Sequence, residues 1–293
     1  MVVEIIYHCN KKIIEWKWSS DNQLLLAHFW TSAFLVDGLL IDTGAPGGEE
    51  DLRNFIKSLS KEDMVKKCLI THSHEDHCGG AAMLQSEFNI PIYASNKAIP
   101  KLRKEKIYPD YRKLTWGFPY RPLEALPLSE SILTCSNKYK FDLIEIPGHA
   151  EEEIALIEKK EQWAFISDGV MPKYTMIFGK NTDIPEDISK IYNSLKLLDI
   201  ITSGMENLLI FTSGRGVFKG QEIFKEKIAE IENLHEKVFN YKEEAIKQGY
   251  NNKRLLKYIL RKIFGKESFT GQFTRGDLSN QNLIISLLDW ALD

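Results

Sequence analysis

The stretch "THSHEDHCGG", residues 71–80, places three histidines, one glutamate and one aspartate directly before a pair of glycines. It follows the short apolar run "KKCLIT" (66–71), which predicts a strand. In an extended segment alternate side chains point the same way. His72 and His74 can therefore approach one ion together.

The two glycines allow a tight turn into a helix that begins near Gly79. This turn carries Asp76 and His77 toward a second position beside the first. Imidazole and carboxylate groups suit zinc, and also iron or manganese. Two other residues of the motif receive structural interpretations: Glu75 alternates away from His74, so we expect it to be solvated or to help the turn, and Cys78 is interpreted as a small buried packing residue.

The composition indicates a globular protein with a sizeable core. Of 293 residues, 43% are hydrophobic and 27% charged, and the net charge of −3 argues neither for nor against an acidic partner. The start, "MVVEIIYHCNKKII", lacks the regions of a signal peptide, and the four cysteines show no disulfide spacing. We therefore expect a cytoplasmic protein without a membrane segment, of unknown oligomeric state.

Hydrophobic patterns along the chain predict strands mixed with helices. The first 45 residues are predicted to be strands, with a hairpin around Asp37-Gly38, and residues 49–59 to be an amphipathic helix. A long helix is predicted from near Gln221, and further helices follow it. This order predicts one α/β domain, residues 1–236, and a small helical module, residues 237–293.

Residues 97–130 show no clean period, and we interpret them as an irregular excursion. Long ordered loops are often lids or binding loops, although a connection that merely packs is the equal alternative. The excursion carries the aromatic residues Tyr108, Trp116, Phe118 and Tyr120, which could either wall a substrate pocket or pack the segment down.

Polar loops follow several of the predicted strands. Side chains at the carboxyl ends of strands converge on one edge of a layered α/β fold, where ligand sites usually lie. Besides the opening motif, these loops are Asp42-Thr43-Gly44, Pro147-Gly148-His149, Ser167-Asp168-Gly169 and Ser213-Gly214-Arg215-Gly216.

The motif H-x-H-x-D-H after a short strand, with "IDTG" before it and "PGH" and a strand-borne aspartate after it, resembles the metallo-β-lactamase-fold hydrolases. The resemblance covers roughly residues 20–236. It implies a four-layer αβ/βα sandwich with a binuclear metal site at one edge. It also implies a set of ligands: His72, His74 and His149 for the first metal, Asp76 and His77 for the second, and Asp168 between the two. Asp42 would orient the ligand loops by hydrogen bonding.

Arg215 departs from that pattern, because the family places a final ligand histidine where this chain has "SGRG". A guanidinium offers no lone pair and repels a cation, so it cannot complete the second site. Three arrangements are open. Arg215 could form an ion pair with Asp76 or Asp168 and leave one metal, point away from a weakened two-metal site, or bind an anionic group of a substrate.

The resemblance implies hydrolysis by a water that the metal activates, with Asp76 and Arg215 as candidate catalytic residues. The expected cofactor is zinc, one or two ions per chain, with iron or manganese open. The expected partner is a small ester-like molecule: a thioester, a lactone or a phosphoester. A basic run in the tail, from Lys253 to Lys266, keeps an RNA-cleaving phosphodiesterase as the alternative. A non-catalytic or redox descendant of the fold is the second alternative.

Overall fold

The computed structural model describes residues 2–21 and 28–292, which form two compact units. The first unit contains two large sheets and comprises Met1–Glu145, Glu152–Asp168 and Met205–Lys219. The second unit contains the longest helices and comprises Ile146–Glu151, Gly169–Gly204 and Gly220–Asp293.

Seven strands form the first sheet in chain order: β1 (Val2–His8), β2 (Ile13–Ser19), β3 (Trp30–Val36), β4 (Leu39–Ile41), β5 (Lys67–Ile70), β6 (Ile92–Ala94) and β7 (Leu126–Pro127). Strands β1 to β4 are antiparallel neighbours, and β4 to β7 run parallel. Asp37 and Gly38 have φ angles of 44° and 74° and connect β3 to β4, which confirms the predicted hairpin.

The second sheet has six strands in the order β14-β13-β11-β10-β9-β8. Strands β11 and β13 are parallel, and the other neighbours in this sheet are antiparallel. Their bounds are β8 (Ser131–Leu133), β9 (Lys140–Glu145), β10 (Ile154–Glu158), β11 (Trp163–Ser167), β13 (Leu209–Thr212) and β14 (Gly216–Lys219), and the short β12 (Ile177–Phe178) belongs to the second unit.

The two sheets pack face to face because alternate strand residues are apolar. In β3, Phe34 and Val36 join Phe165 and Phe211 of the other sheet in one buried cluster. Ala33 and the other alternate residues of β3 face the opposite side of the sheet, as the period of two requires. The first unit is therefore a sandwich whose carboxyl-end loops meet at an edge.

Helices cover the outer face of the first sheet. A 3₁₀ turn (Pro46–Gly48) leads into α1 (Glu49–Ser58), and then come α2 (Glu75–Cys78), α3 (Ala81–Phe88), α4 (Ile99–Leu102) and α5 (Asp110–Trp116). Leu52 and Phe55 of α1 are buried, as the amphipathic pattern predicts. The excursion at 97–130 is more regular than predicted, since it contains α4, α5 and β7.

The second unit is built on α6 (Ile188–Ile201), α7 (Glu222–Lys247), α8 (Asn252–Phe264), α9 (Phe269–Phe273) and α10 (Asn280–Leu288). Asp187, Asn251, Ser268 and Ser279 cap α6, α8, α9 and α10 by accepting backbone N–H groups. The strand β15 (Leu278–Ser279) pairs antiparallel with β12.

The mixed α/β class with C-terminal helices is confirmed. The boundary predicted at residue 236 lies inside α7, and the division into 1–236 and 237–293 stays a prediction. Part of the predicted N-terminal strand region, residues 1 and 22–27, lies outside the described residues. Within the described chain, every helix is too short or too polar to cross a bilayer.

Candidate metal centre

The loop from β5 into α2 gathers three buried imidazoles. The ring of His72 lies 4.5 Å from that of His74 and 4.0 Å from that of His77, measured between centroids. Gly79, at the end of this loop, packs closely against the backbone that follows β4, and a Cβ there would lie 2.2 Å from the backbone nitrogen of Pro46. We conclude that the glycine after the histidines is required by close backbone contact.

Two aspartates face the same cluster. His77 Nε2 lies 3.6 Å from Asp76 Oδ2 and 3.7 Å from Asp168 Oδ1. One ligand atom each from His72, His77 and Asp168 fall within 4.8 Å of one another. Asp168 reaches this position because it follows β11 at the same edge of the sandwich.

These residues fit a divalent cation. His77 Nε2 is buried and has no hydrogen-bond partner among the described residues, although its neighbours are carboxylates. Burial lowers the pKa of His77, but the charges of Asp76, Asp42 and Asp168 outweigh it and raise that pKa well above its usual range. Ligand atoms around tetrahedral zinc lie about 3.3 Å apart. The distances of 3.6 and 3.7 Å from His77 Nε2 to the two carboxylates are close to that value. The cluster thus has the donors and the negative charge that a metal requires.

Asp42 forms hydrogen bonds with His77 and with the loops on either side of it. Its carboxylate accepts hydrogen bonds from the Thr71 backbone N–H at 2.8 Å, from His77 Nδ1 at 2.9 Å and from Ser167 Oγ at 3.3 Å. The bond to Nδ1 leaves His77 Nε2 as the atom that faces Asp76 and Asp168. Asp42 is therefore placed to orient the loops, as the resemblance implies.

Arg215 lies in the turn between β13 and β14. A Cβ at Gly214 would come within 1.9 Å of the Trp30 carbonyl oxygen, and Gly214 N–H donates to Ser32 Oγ at 2.9 Å. Ser32 N–H in turn donates to Ser213 Oγ at 3.2 Å. The turn is consequently held against β3, and the base of the arginine side chain is fixed.

The guanidinium of Arg215 pairs with Asp168 through its two terminal nitrogens, Nη1 and Nη2. Nη1 donates to Oδ1 at 2.7 Å and Nη2 to Oδ2 at 3.3 Å. Burial lowers the pKa of Arg215, but Asp168, followed by Asp76 and Glu153, raises it above the usual value. Of the three arrangements left open by the sequence, the structure contains the ion pair with Asp168.

The expectation that Glu75 is solvated was wrong, and its role in the turn stays a prediction. Its side chain is buried and forms a bidentate ion pair with Arg112 of α5, whose guanidinium also lies 4.8 Å from the Tyr108 ring centroid. Because Arg112 belongs to the excursion, the excursion covers this side chain. Tyr108 and Tyr120 are buried in the core, whereas Phe118 is 82% exposed. The excursion is thus anchored to the ligand loop.

Sequence reasoning missed two further carboxylates. Glu152 accepts hydrogen bonds from the backbone N–H and hydroxyl of Ser73, between two histidines, and Glu153 accepts the Asp168 backbone N–H at 3.0 Å. Burial raises the pKa of Glu152, but Lys101 and Ser73 outweigh it, so the net shift is downward. The sequence does contain a signal for these carboxylates, since a run of three glutamates directly precedes the apolar strand β10.

His149 belongs to the second unit, where its Nδ1 lies 2.7 Å from Glu186 Oε1. The remaining three histidines have other contacts: His8 pairs with Glu15, His28 Nδ1 lies 3.3 Å from Ser19 Oγ, and His235 contacts the Trp290 carbonyl. Cys78 is fully buried, as predicted.

A sequence model of a family described as the metallo-β-lactamase superfamily matches residues 31–162. Hydroxyacylglutathione hydrolase GloC of Haemophilus influenzae is 29% identical over 128 residues, 42% of this chain and 58% of that protein. Ribonuclease J 1 of Streptococcus pyogenes is 36% identical over 202 residues, 58% of this chain and 36% of that protein. The chain thus spans less than two thirds of either relative.

Among solved structures, a metallo-β-lactamase from Pontibacter korlensis superposes with a TM-score of 0.60 at 15% identity, over 79% of this chain and 100% of its own. At this identity the similarity shows a shared fold.

Proposed function

We propose that this chain is a metal-dependent hydrolase of the metallo-β-lactamase superfamily and acts on an ester-like substrate: a thioester, a lactone or a phosphoester. The observation that carries the proposal is the cluster of three buried imidazoles, His72, His74 and His77, beside two carboxylates, in which His77 Nε2 has no hydrogen-bond partner among the described residues. The name of the Haemophilus influenzae relative makes a hydroxyacyl thioester of glutathione the first substrate to test.

In this proposal His72, His74 and His149 hold the first metal, and Asp76 and His77 with Asp168 form the second position. The pairing of His77 and His149 with carboxylates through Nδ1 supports these roles, because ligand histidines usually donate their other N–H to such groups. Since Arg215 already engages both oxygens of Asp168, we propose one metal per chain, with zinc the first choice and iron or manganese the alternatives.

A metal bound there would lower the pKa of a water molecule and polarise the substrate. Asp76, whose side chain is partly exposed beside His77, orients the attacking water and accepts its proton. Arg215 adds a fixed positive charge near the developing oxyanion. Asp42 holds His77 in place and touches no substrate in this scheme.

Metal removal tests the proposal. We expect a strong chelator to abolish hydrolysis of the glutathione thioester and added zinc to restore it. We expect Asp76→Asn to lower kcat by about 10²–10⁴-fold, the usual contribution of a general base. The assay panel includes a lactone and a phosphodiester.

His235→Ala is the matched control. His235 lies on α7 and is not among the proposed ligands, and its ring packs against those of Phe239 and Trp290. We expect this variant to keep its metal and activity, and His72→Ala to lose both. Activity that survives both the chelator and His72→Ala would overturn the proposal.

A second candidate, binding and cleavage of RNA, is favoured by the surface of α8 and α9. Lys253, Lys257 and Arg261 recur every four residues on one helix face, are exposed, and form no ion pair with a described residue. Phe269 and Phe273 are 69% and 51% exposed, and their rings stack at 6.1 Å. Basic rows with exposed aromatic rings suit single-stranded RNA.

Fluorescence anisotropy with a labelled single-stranded RNA tests this candidate. We expect the double variant Phe269→Ala, Phe273→Ala to weaken binding at least about tenfold, since each stacked base contributes about 1–3 kcal/mol. Alanine at the three basic positions should reduce the salt slope by about 2. Phe118→Ala, also a highly exposed aromatic, is the control. Unchanged affinity in both multiple variants would exclude this surface.

A further inference from the structure

Glu186 uses both carboxylate oxygens inside the second unit. Oε1 lies 2.7 Å from His149 Nδ1, and Oε2 accepts the Phe178 backbone N–H at 2.7 Å. The side chain is almost fully buried. Because an ionised carboxylate only accepts hydrogen bonds, Nδ1 must be the donor, so the proton of a neutral His149 ring lies on Nδ1 rather than on Nε2.

The backbone that carries His149 is held firmly against α6. A Cβ at Gly148 would lie 2.4 Å from the Ile191 backbone nitrogen, and the φ of Gly148 is 143°. Asp187 N–H donates to the Gly148 carbonyl at 2.9 Å, and Ser194 Oγ donates to the Pro147 carbonyl at 2.7 Å. The position of His149 is fixed by α6, so the group that remains to be set is the imidazole ring.

The other partner of Glu186, Phe178, is held by the end of the chain. Strand β12 pairs with β15, and Gly179 N–H donates to the Asp277 carbonyl at 2.9 Å. Asn280 Nδ2 donates to the Thr175 carbonyl at 2.6 Å, and Asn282 Nδ2 donates to the Ile177 carbonyl at 3.3 Å. These contacts define a C-terminal clasp, residues 277–282, that fixes the strand on which Glu186 depends.

We infer that Glu186 is a positioning residue for His149, and that the C-terminal clasp sets its position through β12. The inference rests on the proposed function in one respect, the role of His149 as a metal ligand. The clasp would then hold the carboxylate that orients this ring and fixes its tautomer.

The first test compares Glu186→Ala with the wild type. Nitrogen-15 spectra of the metal-free protein, above about pH 8 where an ordinary imidazole is neutral, report the tautomer of His149. The signals of this ring are assigned by their loss in His149→Ala. We expect the proton on Nδ1 in the wild type and a shift toward the Nε2–H form in Glu186→Ala. Zinc affinity should fall about 10–100-fold, as is usual when such a partner is removed.

Glu186→Gln separates orientation from folding. His149 and Phe178 contact different oxygens of Glu186, and in glutamine an NH2 group, which cannot accept, replaces one of these oxygens, so one of the two hydrogen bonds is lost. We expect a tautomer ratio and a zinc affinity between those of the wild type and Glu186→Ala, with an unchanged far-ultraviolet spectrum. A zinc affinity and tautomer equal to the wild type in Glu186→Ala would overturn the inference.

The clasp is tested separately with the double variant Asn280→Ala, Asn282→Ala. Gln281→Ala is its matched control, because Gln281 lies between the two asparagines and its exposed side chain makes no hydrogen bond with a described residue. We expect the double variant to reproduce the tautomer shift and the weaker zinc binding, and the control to match the wild type. If the double variant does not fold, Asn282→Ala alone is measured in the same way.

Failure of this inference can be told apart from failure of the proposed function. If His149→Ala keeps its zinc, the assignment of His149 as a ligand is wrong. If His149→Ala loses zinc while Glu186→Ala and the clasp variant bind it as the wild type does, His149 is a ligand that needs no such support.

Discussion

Arg215→His is expected to raise the bound metal from about one to about two ions per chain. A histidine in this turn would supply a neutral imidazole donor beside Asp76 and His77, and would remove a fixed positive charge. Metal content is measured by elemental analysis of protein purified from zinc-supplemented medium and dialysed against metal-free buffer.

The expected gain in bound metal is large because Arg215 hinders binding at the second metal position in two ways. It occupies both oxygens of Asp168, and Oδ1 is the atom that lies 3.7 Å from His77 Nε2. Its charge would also repel a second divalent cation at close range. Replacing the side chain removes both obstacles at once.

Arg215→Lys and Arg215→Ala are the matched controls. Lysine keeps the charge, so we expect metal content to stay near one; alanine frees Asp168 but adds no ligand, so we expect weak second-site binding that dialysis removes. Two tightly bound metals in the wild type, or no gain in Arg215→His, would contradict the one-metal proposal.

Arg112→Ala is expected to lower the free energy of unfolding by about 3–5 kcal/mol, the usual cost of leaving one member of a buried ion pair alone. Arg112 and Glu75 are 5% and 1% exposed and are joined bidentately. Burial raises the pKa of Glu75, and Arg112 only partly offsets this effect. Urea unfolding followed by fluorescence measures the change.

Two variants define the cause of that loss. Arg121→Ala removes an exposed partner of Glu49 in the same excursion, and we expect a loss below about 1 kcal/mol. The apolar exchange Arg112→Met with Glu75→Leu should recover much of the stability, because no unpaired charge remains buried. A loss for Arg112→Ala as small as that for Arg121→Ala would show that the pair contributes little.

The ligand motif and most of the secondary structure could be predicted because their signals are local. The hairpin at Asp37-Gly38 and the buried face of α1 follow from turn chemistry and from periods of two and 3.6 residues. The environment of Glu75 could not be predicted in this way, because its partner lies 37 residues further along the chain. Alternation shows which side a residue faces, not what covers that side.

The partner of Arg215 could not be predicted from local sequence patterns either. The sequence placed it in the correct turn but left three arrangements open, and only the distances to Asp168 distinguish them. Glu186 was missed for a related reason, since it lies 37 residues from His149 in a segment without a recognisable period.

The bonds of Asp42 have a thermodynamic consequence. This one carboxylate joins loops from both sheets, through Thr71 and His77 on one side and Ser167 on the other. Any ion that binds the folded ligands therefore also favours the closed sandwich over the unfolded chain, by about 2.7 kcal/mol at a hundredfold excess over its Kd. Under the one-metal proposal, the supply of that metal would therefore change the population of the folded protein as well as its chemistry.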